Sequence, residues 1–177
     1  MKCVGMSTIN NKKISLATVL TALGIVLASF LWFYVLDTMA SPGQHLINAM
    51  AGVLLGPLWA AFIAFEIGII RMSLGWGTIF SIPGGIPGGV VVGLFYWLLR
   101  KYAGRYAELA AFTEPIGTIF IGGTLAVYLF APLQGKSWLL IPIWIGWSLS
   151  CIPGAVAGFI ILRILRAAGF TRETFSK

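Results

Sequence analysis

Charge is what this chain has least of. Aspartate, glutamate, lysine and arginine make up only 10 % of its 177 residues, against about 25 % in soluble domains. Five residues are acidic, too few for an acidic tail or a carboxylate metal cage. Histidine occurs once, at His45, which excludes an HExxH pair and any histidine cluster for zinc. The two cysteines, Cys3 and Cys151, stand apart, one near the N-terminus and one in the last apolar segment, so neither a disulfide framework nor metal spacing follows. Nucleotide chemistry is missing as well. Gln134-Gly135-Lys136-Ser137 resembles the end of a phosphate-binding loop, but the glycine required five residues before Gly135 is Phe130, so the loop is incomplete. No serine or cysteine has an evident partner base. The reading is of a chain with no catalytic residues, no metal and no cofactor of its own.

What is present is apolar sequence, 59 % of the chain, with a mean hydropathy of +0.95. One membrane domain is expected, seated in a lipid bilayer. The net charge of +7 comes from short basic runs between apolar segments, a placement that fits the positive-inside rule rather than a nucleic-acid face. Lys12 and Lys13 precede a first apolar run, and Thr38-Met39-Ala40 loosely resembles a signal cleavage site. The run covers residues 14–36, whereas the apolar region of a signal peptide has roughly 7–15 residues. A helix of that length reaches about 34 Å, enough for a hydrocarbon core of about 30 Å. A retained first helix is therefore expected.

Four more apolar regions follow, at 44–71, 85–99, 113–133 and 139–162. The first of these is either one kinked helix or two short helices broken at Gly56-Pro57. Charge favours two. With two crossings there, Lys2, Lys12, Lys13, Arg100, Lys101, Arg105, Arg163, Arg166, Arg172 and Lys177 share one side and only Arg71 and Lys136 take the other. A single crossing would scatter the basic residues over both faces. The expected fold is an all-α integral membrane bundle of six transmembrane helices, residues 14–167, with cytoplasmic tails 1–13 and 168–177. The 100–112 stretch is an inside loop in this scheme. Small residues four apart, Gly24/Ala28, Gly85/Gly89/Gly93 and Gly154/Gly158, suit close helix packing.

Polar side chains inside such a bundle mark a functional site. Gln44, His45 and Asn48 share one face at the start of the second helix, because residues three and four apart are helical neighbours. Arg71 ends the third helix at the same level, and Glu66, just over one turn earlier, could pair with Arg71 or with His45. Mutual satisfaction of these groups is the structural alternative to a pocket. Trp76 and Thr78 lie in the adjoining glycine-rich loop. Trp138 reads as an interfacial anchor, whereas Trp144 and Trp147 lie deeper, with at least one facing inward. Aromatic walls with a few placed polar groups are the usual form of a pocket for a small heteroaromatic ligand. Glu114, beside Pro115, reads as an acidic first-turn residue favoured by the helix dipole.

Pro42-Gly43-Gln44-His45-Leu46-Ile47-Asn48, Gly52-Val53-Leu54-Leu55-Gly56-Pro57, Arg71, Gly75-Trp76-Gly77-Thr78 and Phe80…Pro83-Gly84 together resemble the substrate-binding S components of energy-coupling factor (ECF) vitamin transporters, nearest the ThiW subgroup. The resemblance is densest over 42–89 and runs more weakly through Glu114-Pro115-Ile116-Gly117-Thr118. It implies a six-helix protein in a prokaryotic plasma membrane that captures a vitamin precursor, for ThiW the thiazole half of thiamin, hydroxyethylthiazole. It also implies a transmembrane coupling protein and two ATP-binding cassette ATPases as partners. The site residues it suggests are His45, Asn48, Trp76, Thr78 and Trp144, with Arg71 and Glu66 shaping the site and Gln44 and Trp147 beside them. Many S components carry paired alanines four apart on helix one; this chain has Ala17…Thr21 and Thr18…Ala22. The competing readings are an S component for thiamin or its pyrimidine half, a non-transport membrane scaffold whose polar cluster is structural, and a small membrane enzyme, for which no acid–base pair is visible.

Overall fold

Prolines and glycines cut this apolar chain into its helices. The computed structural model describes residues 11–36 and 38–176; Lys2, Cys3, Asp37 and Lys177 lie outside the described residues. The principal helices are α1 (Asn11–Phe30), α2 (Pro42–Leu54), α3 (Pro57–Ser73), α4 (Ser81–Ala103), α5 (Tyr106–Leu133) and α6 (Leu140–Ala167). A short α7 (Arg172–Ser176) follows. Four of them, α1, α4, α5 and α6, are long and apolar enough to cross a membrane.

The break between α2 and α3 falls at Gly56-Pro57. Gly56 has φ +97°, a conformation that glycine adopts without the Cβ penalty. Pro57 then occupies the first turn of α3, where its missing N–H is no loss. The first apolar run ends earlier than expected. α1 stops at Phe30, and the expected helical residues 31–36 instead enter a two-stranded antiparallel ribbon, β1 (Phe33–Val35) with β2 (Thr38–Ala40), in the register Tyr34 opposite Met39. Aromatic and β-branched residues favour a pleated strand, and Leu36 at φ +51° turns the chain. The expected 100–112 loop is also replaced. α4 runs through Ala103, Gly104 turns at φ +47°, and residues Gly104–Thr113 wind as a 3-10 helix that buries Ala107, Ala110 and Ala111.

α2 is the central element, with eleven of its thirteen residues buried. It packs between α4 and α6 and also touches α1 and α3. Gly154 and Gly158 of α6 lie directly on the α2 backbone around Pro42 and Leu46. α5 contains two wide π-helical segments, Ile116–Gly122 and Ala126–Phe130, a distortion frequently found at functional sites. The C-terminal residues beyond 167 do not simply trail away: Arg172 of α7 sits over the rings of Tyr96 and Trp97, 5.2 and 5.8 Å from their centroids.

Candidate functional site

A small cavity of about 30 Å³ opens among the N-terminal half of α2, the C-terminal end of α3, the loop leading into α4, α6 and strand β2. It is lined by Thr38, Met39, Ser41, Gln44, His45, Arg71, Thr78, Phe80, Ser81, Trp147 and Ser150, among others. Each element supplies its residues for a local reason. The helical spacing of α2 turns Gln44, His45 and Asn48 inward together. Arg71 lies in the last turn of α3, and its long side chain reaches Met39 of β2. Trp147 and Ser150, three apart on α6, present one stripe to α2.

Arg71 is only 1 % exposed. It donates to Gln44 Oε1 and, from Nη2, to the carbonyls of Met39 and Trp76, both at 3.1 Å. Its Nε has no partner, and neither do the buried hydroxyls of Ser41 and Ser81. Gln44 passes the chain on, donating to the carbonyl of Ser81 at 3.3 Å. Trp147 closes the wall, its Nε1–H donating to Thr38 Oγ1 at 3.2 Å, while the Thr38 hydroxyl donates to the Val35 carbonyl at 2.8 Å. These two bonds tie the ribbon over the cavity.

Beneath lies a second polar layer centred on Glu114, which is fully buried. Its Oε1 meets His45 Nδ1 at 2.8 Å, Asn48 Nδ2 at 3.1 Å and Thr118 Oγ1 at 2.7 Å. Asn48 also donates to the Gly85 carbonyl at 2.9 Å, and the other ring nitrogen of His45 meets Ser150 Oγ at 3.2 Å. A buried carboxylate is tolerated where several donors converge on it. Gly88 makes room for this layer, since a Cβ there would collide with Glu114 Oε1 and Thr118 Oγ1. Glu114 is thus no surface residue of a first helical turn, as its sequence neighbours suggest, but the junction of α2, α4 and α5.

The structure brings Gln44, His45, Arg71, Thr78 and Trp147 to one cavity and sets Asn48 just below it. Three expected residues lie elsewhere. Glu66 pairs with neither Arg71 nor His45; it accepts from Thr21 Oγ1 of α1 at 3.0 Å, because four residues separate it from Arg71 but its side chain leaves α3 on the α1-facing side. Trp76 contributes its backbone carbonyl rather than its ring. Trp144 packs edge-on against Phe120 of α5, centroids 5.0 Å apart. Sequence reasoning missed Glu114, Thr118, Ser150, Ser41 and Ser81. For Glu114 a signal existed: it is one of only five acidic residues and sits between two long apolar stretches. The serines and Thr118 had none.

No curated protein matches the chain. A family model described as "Thiamine-precursor transporter protein (ThiW)" matches residues 14–168, which takes in α1 from Ile14 onward, the other five principal helices and both polar layers. With its apolar helices, its buried polar cavity and that match over most of its length, this membrane-embedded chain belongs to the ThiW family of thiamine-precursor transporter proteins.

Proposed function

We propose that the chain is the substrate-capture subunit of an energy-coupling factor importer, and that it takes up the thiazole precursor of thiamin, hydroxyethylthiazole, in a prokaryotic plasma membrane. The observation that carries the reading is the cavity under the ribbon, walled by Trp147 and Phe80 and furnished with Gln44, His45 and Thr78. A neutral thiazole needs stacking and one or two hydrogen bonds, and this is the chemistry such a wall offers. In this reading all six principal helices cross, α2 and α3 as short spans that thin the bilayer locally, and both termini are cytoplasmic. The cavity then lies toward the outside, and Arg100, Lys101, Arg163, Arg166 and Arg172 gather on the inside.

The space of about 30 Å³ holds two or three water-sized groups, at roughly 10–15 Å³ each. Entry of a thiazole ring requires the ribbon to lift, which breaks the Trp147–Thr38 hydrogen bond. Energy comes from partners: a transmembrane coupling protein and two ATP-binding cassette ATPases, since this sequence carries no complete phosphate-binding loop. On α1, Ala17 and Thr21 are buried, whereas Thr18 and Ala22 face outward, so the outward pair is the one available for the coupling protein.

Intrinsic tryptophan fluorescence of the purified protein, titrated with hydroxyethylthiazole, thiamin and hydroxymethylpyrimidine, tests the reading. Saturable quenching by the thiazole, weakened in Asn48→Ala, is expected. Preference for thiamin would change the substrate and keep the class. Silence toward all three by folded protein would overturn the reading in favour of a scaffold.

A further inference from the structure

Arg71 is a buried cation, and no ion pair joins it to a carboxylate among the described residues. Its partners are an amide oxygen and two backbone carbonyls. Among the described residues every acidic side chain is engaged elsewhere. Glu66 accepts from Thr21, Glu114 holds His45, Asn48 and Thr118, Glu108 pairs with Arg166 at 2.7 Å, and Glu173 pairs with Arg100 at 3.0 Å. Among the described residues, none of those lining the cavity is acidic. Within a membrane protein an arginine pairs with a carboxylate or with backbone carbonyls, because leaving its charge unsolvated is costly. Here carbonyl and amide oxygens solvate the guanidinium, no carboxylate among the described residues neutralises it, and three donors of cavity-lining residues are idle: Arg71 Nε, Ser41 Oγ and Ser81 Oγ. All three side chains are more than nine-tenths buried.

Building on the capture function above, we propose that Arg71, Ser41 and Ser81 form an oxyanion subsite in the same cavity, so that besides the neutral alcohol the site takes a thiazole precursor bearing a carboxylate or phosphate-ester group, and holds it more tightly. An oxyanion has acceptor lone pairs for all three idle donors, and hydrogen bonds from a guanidinium to an oxyanion are about twice as strong as neutral ones. The cavity's volume suits one such group while the ring rests toward the lifted ribbon. The cation and the hydroxyls also explain each other. Seryl hydroxyls left without partners in a buried wall cost free energy unless a ligand completes them.

Isothermal titration of the full chain in zwitterionic phosphatidylcholine nanodiscs, with hydroxyethylthiazole, its phosphate monoester and its ring carboxylate as probes, decides the matter. At least one oxyanionic probe should bind about tenfold or more tightly than the alcohol, a difference of about 1.4 kcal/mol. Arg71→Met should erase that ratio. If this variant fails to fold, the Ser41→Ala/Ser81→Ala double variant should still reduce the ratio severalfold. A ratio of one or less in the unaltered protein, with the alcohol still binding, overturns the subsite and leaves the capture function standing. A ratio that survives in the variants overturns the assignment to these residues. Failure of all three probes to bind overturns both.

Discussion

Arg71 at one end of the helices and the Glu108–Arg166 and Arg100–Glu173 pairs at the other show two ways of carrying charge. At the far end the pairs are direct, 2.7 and 3.0 Å, and the Arg100 and Glu173 side chains are about half exposed. Arg163 stands 3.9 Å from the same Glu108 oxygen. At the cavity end the polar groups are enclosed and solvated by fixed partners: carbonyls around Arg71, and side chains of α2 and α5 around Glu114. Exposed ion pairs contribute little, because water and salt do the same work. Enclosed charges have no such substitute, so every group around them is held in place. The difference separates an exposed pair such as Arg100–Glu173, which many charged residues could furnish, from a site whose geometry depends on each partner.

Substitutions at the two ends sharpen the contrast. Glu114→Ala removes the acceptor shared by His45, Asn48 and Thr118, and each buried polar group left without its partner costs about 1–3 kcal/mol. The expected outcome is a large drop in the thermal unfolding midpoint of the detergent-solubilised protein; an unchanged midpoint would show that the polar layer bears no structural weight. Gly88→Ala forces a methyl group onto Glu114 and Thr118, an overpacking worth about 1–3 kcal/mol, and the same melt should register it as a smaller fall. Trp147→Phe keeps the wall but deletes the donor to Thr38, a loss of about 1 kcal/mol. Faster amide hydrogen exchange confined to β1 and β2 is the expected signature; uniform exchange would mean that the ribbon is tied elsewhere.

Glu173→Gln at the far end should do least, below about 1 kcal/mol. A hydrogen bond from Thr171 is the main reason its carboxyl is held below the usual carboxylate range, with Arg100 and Arg166 adding to it. Because the folded value is lowered, the contribution is complete above the ordinary carboxylate value and lost as pH falls through the lowered one. Melts of the unaltered protein and Glu173→Gln should therefore converge in acid and differ slightly at neutral pH. A wider gap in acid than at neutral pH would reverse the sign and refute the account.

Much of this architecture is visible in one dimension. Apolar runs, the Gly56-Pro57 break and the clustering of Gln44, His45 and Asn48 all follow from local chemistry and helical period. The ribbon was not visible, because residues 31–36 are as apolar as the helix before them and strand preference depends on packing context. The 3-10 segment after Gly104 was hidden by its charges, which read as a loop although alanines between them are buried. Glu66 was misassigned because spacing along α3 gives proximity to Arg71 without giving the direction of the side chain.

By itself, the sequence determined that this protein lives among apolar groups, where its helices break, and that polar residues on α2 and α3 form a cluster. These are properties of composition and of neighbours a few residues apart. Tertiary structure alone decided that Glu114, sixty-six residues beyond Asn48, is the acceptor beneath the cavity, and that Ser41 and Ser81 stand with Arg71 around it. Which distant helices meet is set by how glycines at 88, 154 and 158 let backbones close on α2 and α5, and no local pattern encodes the partner of a buried charge.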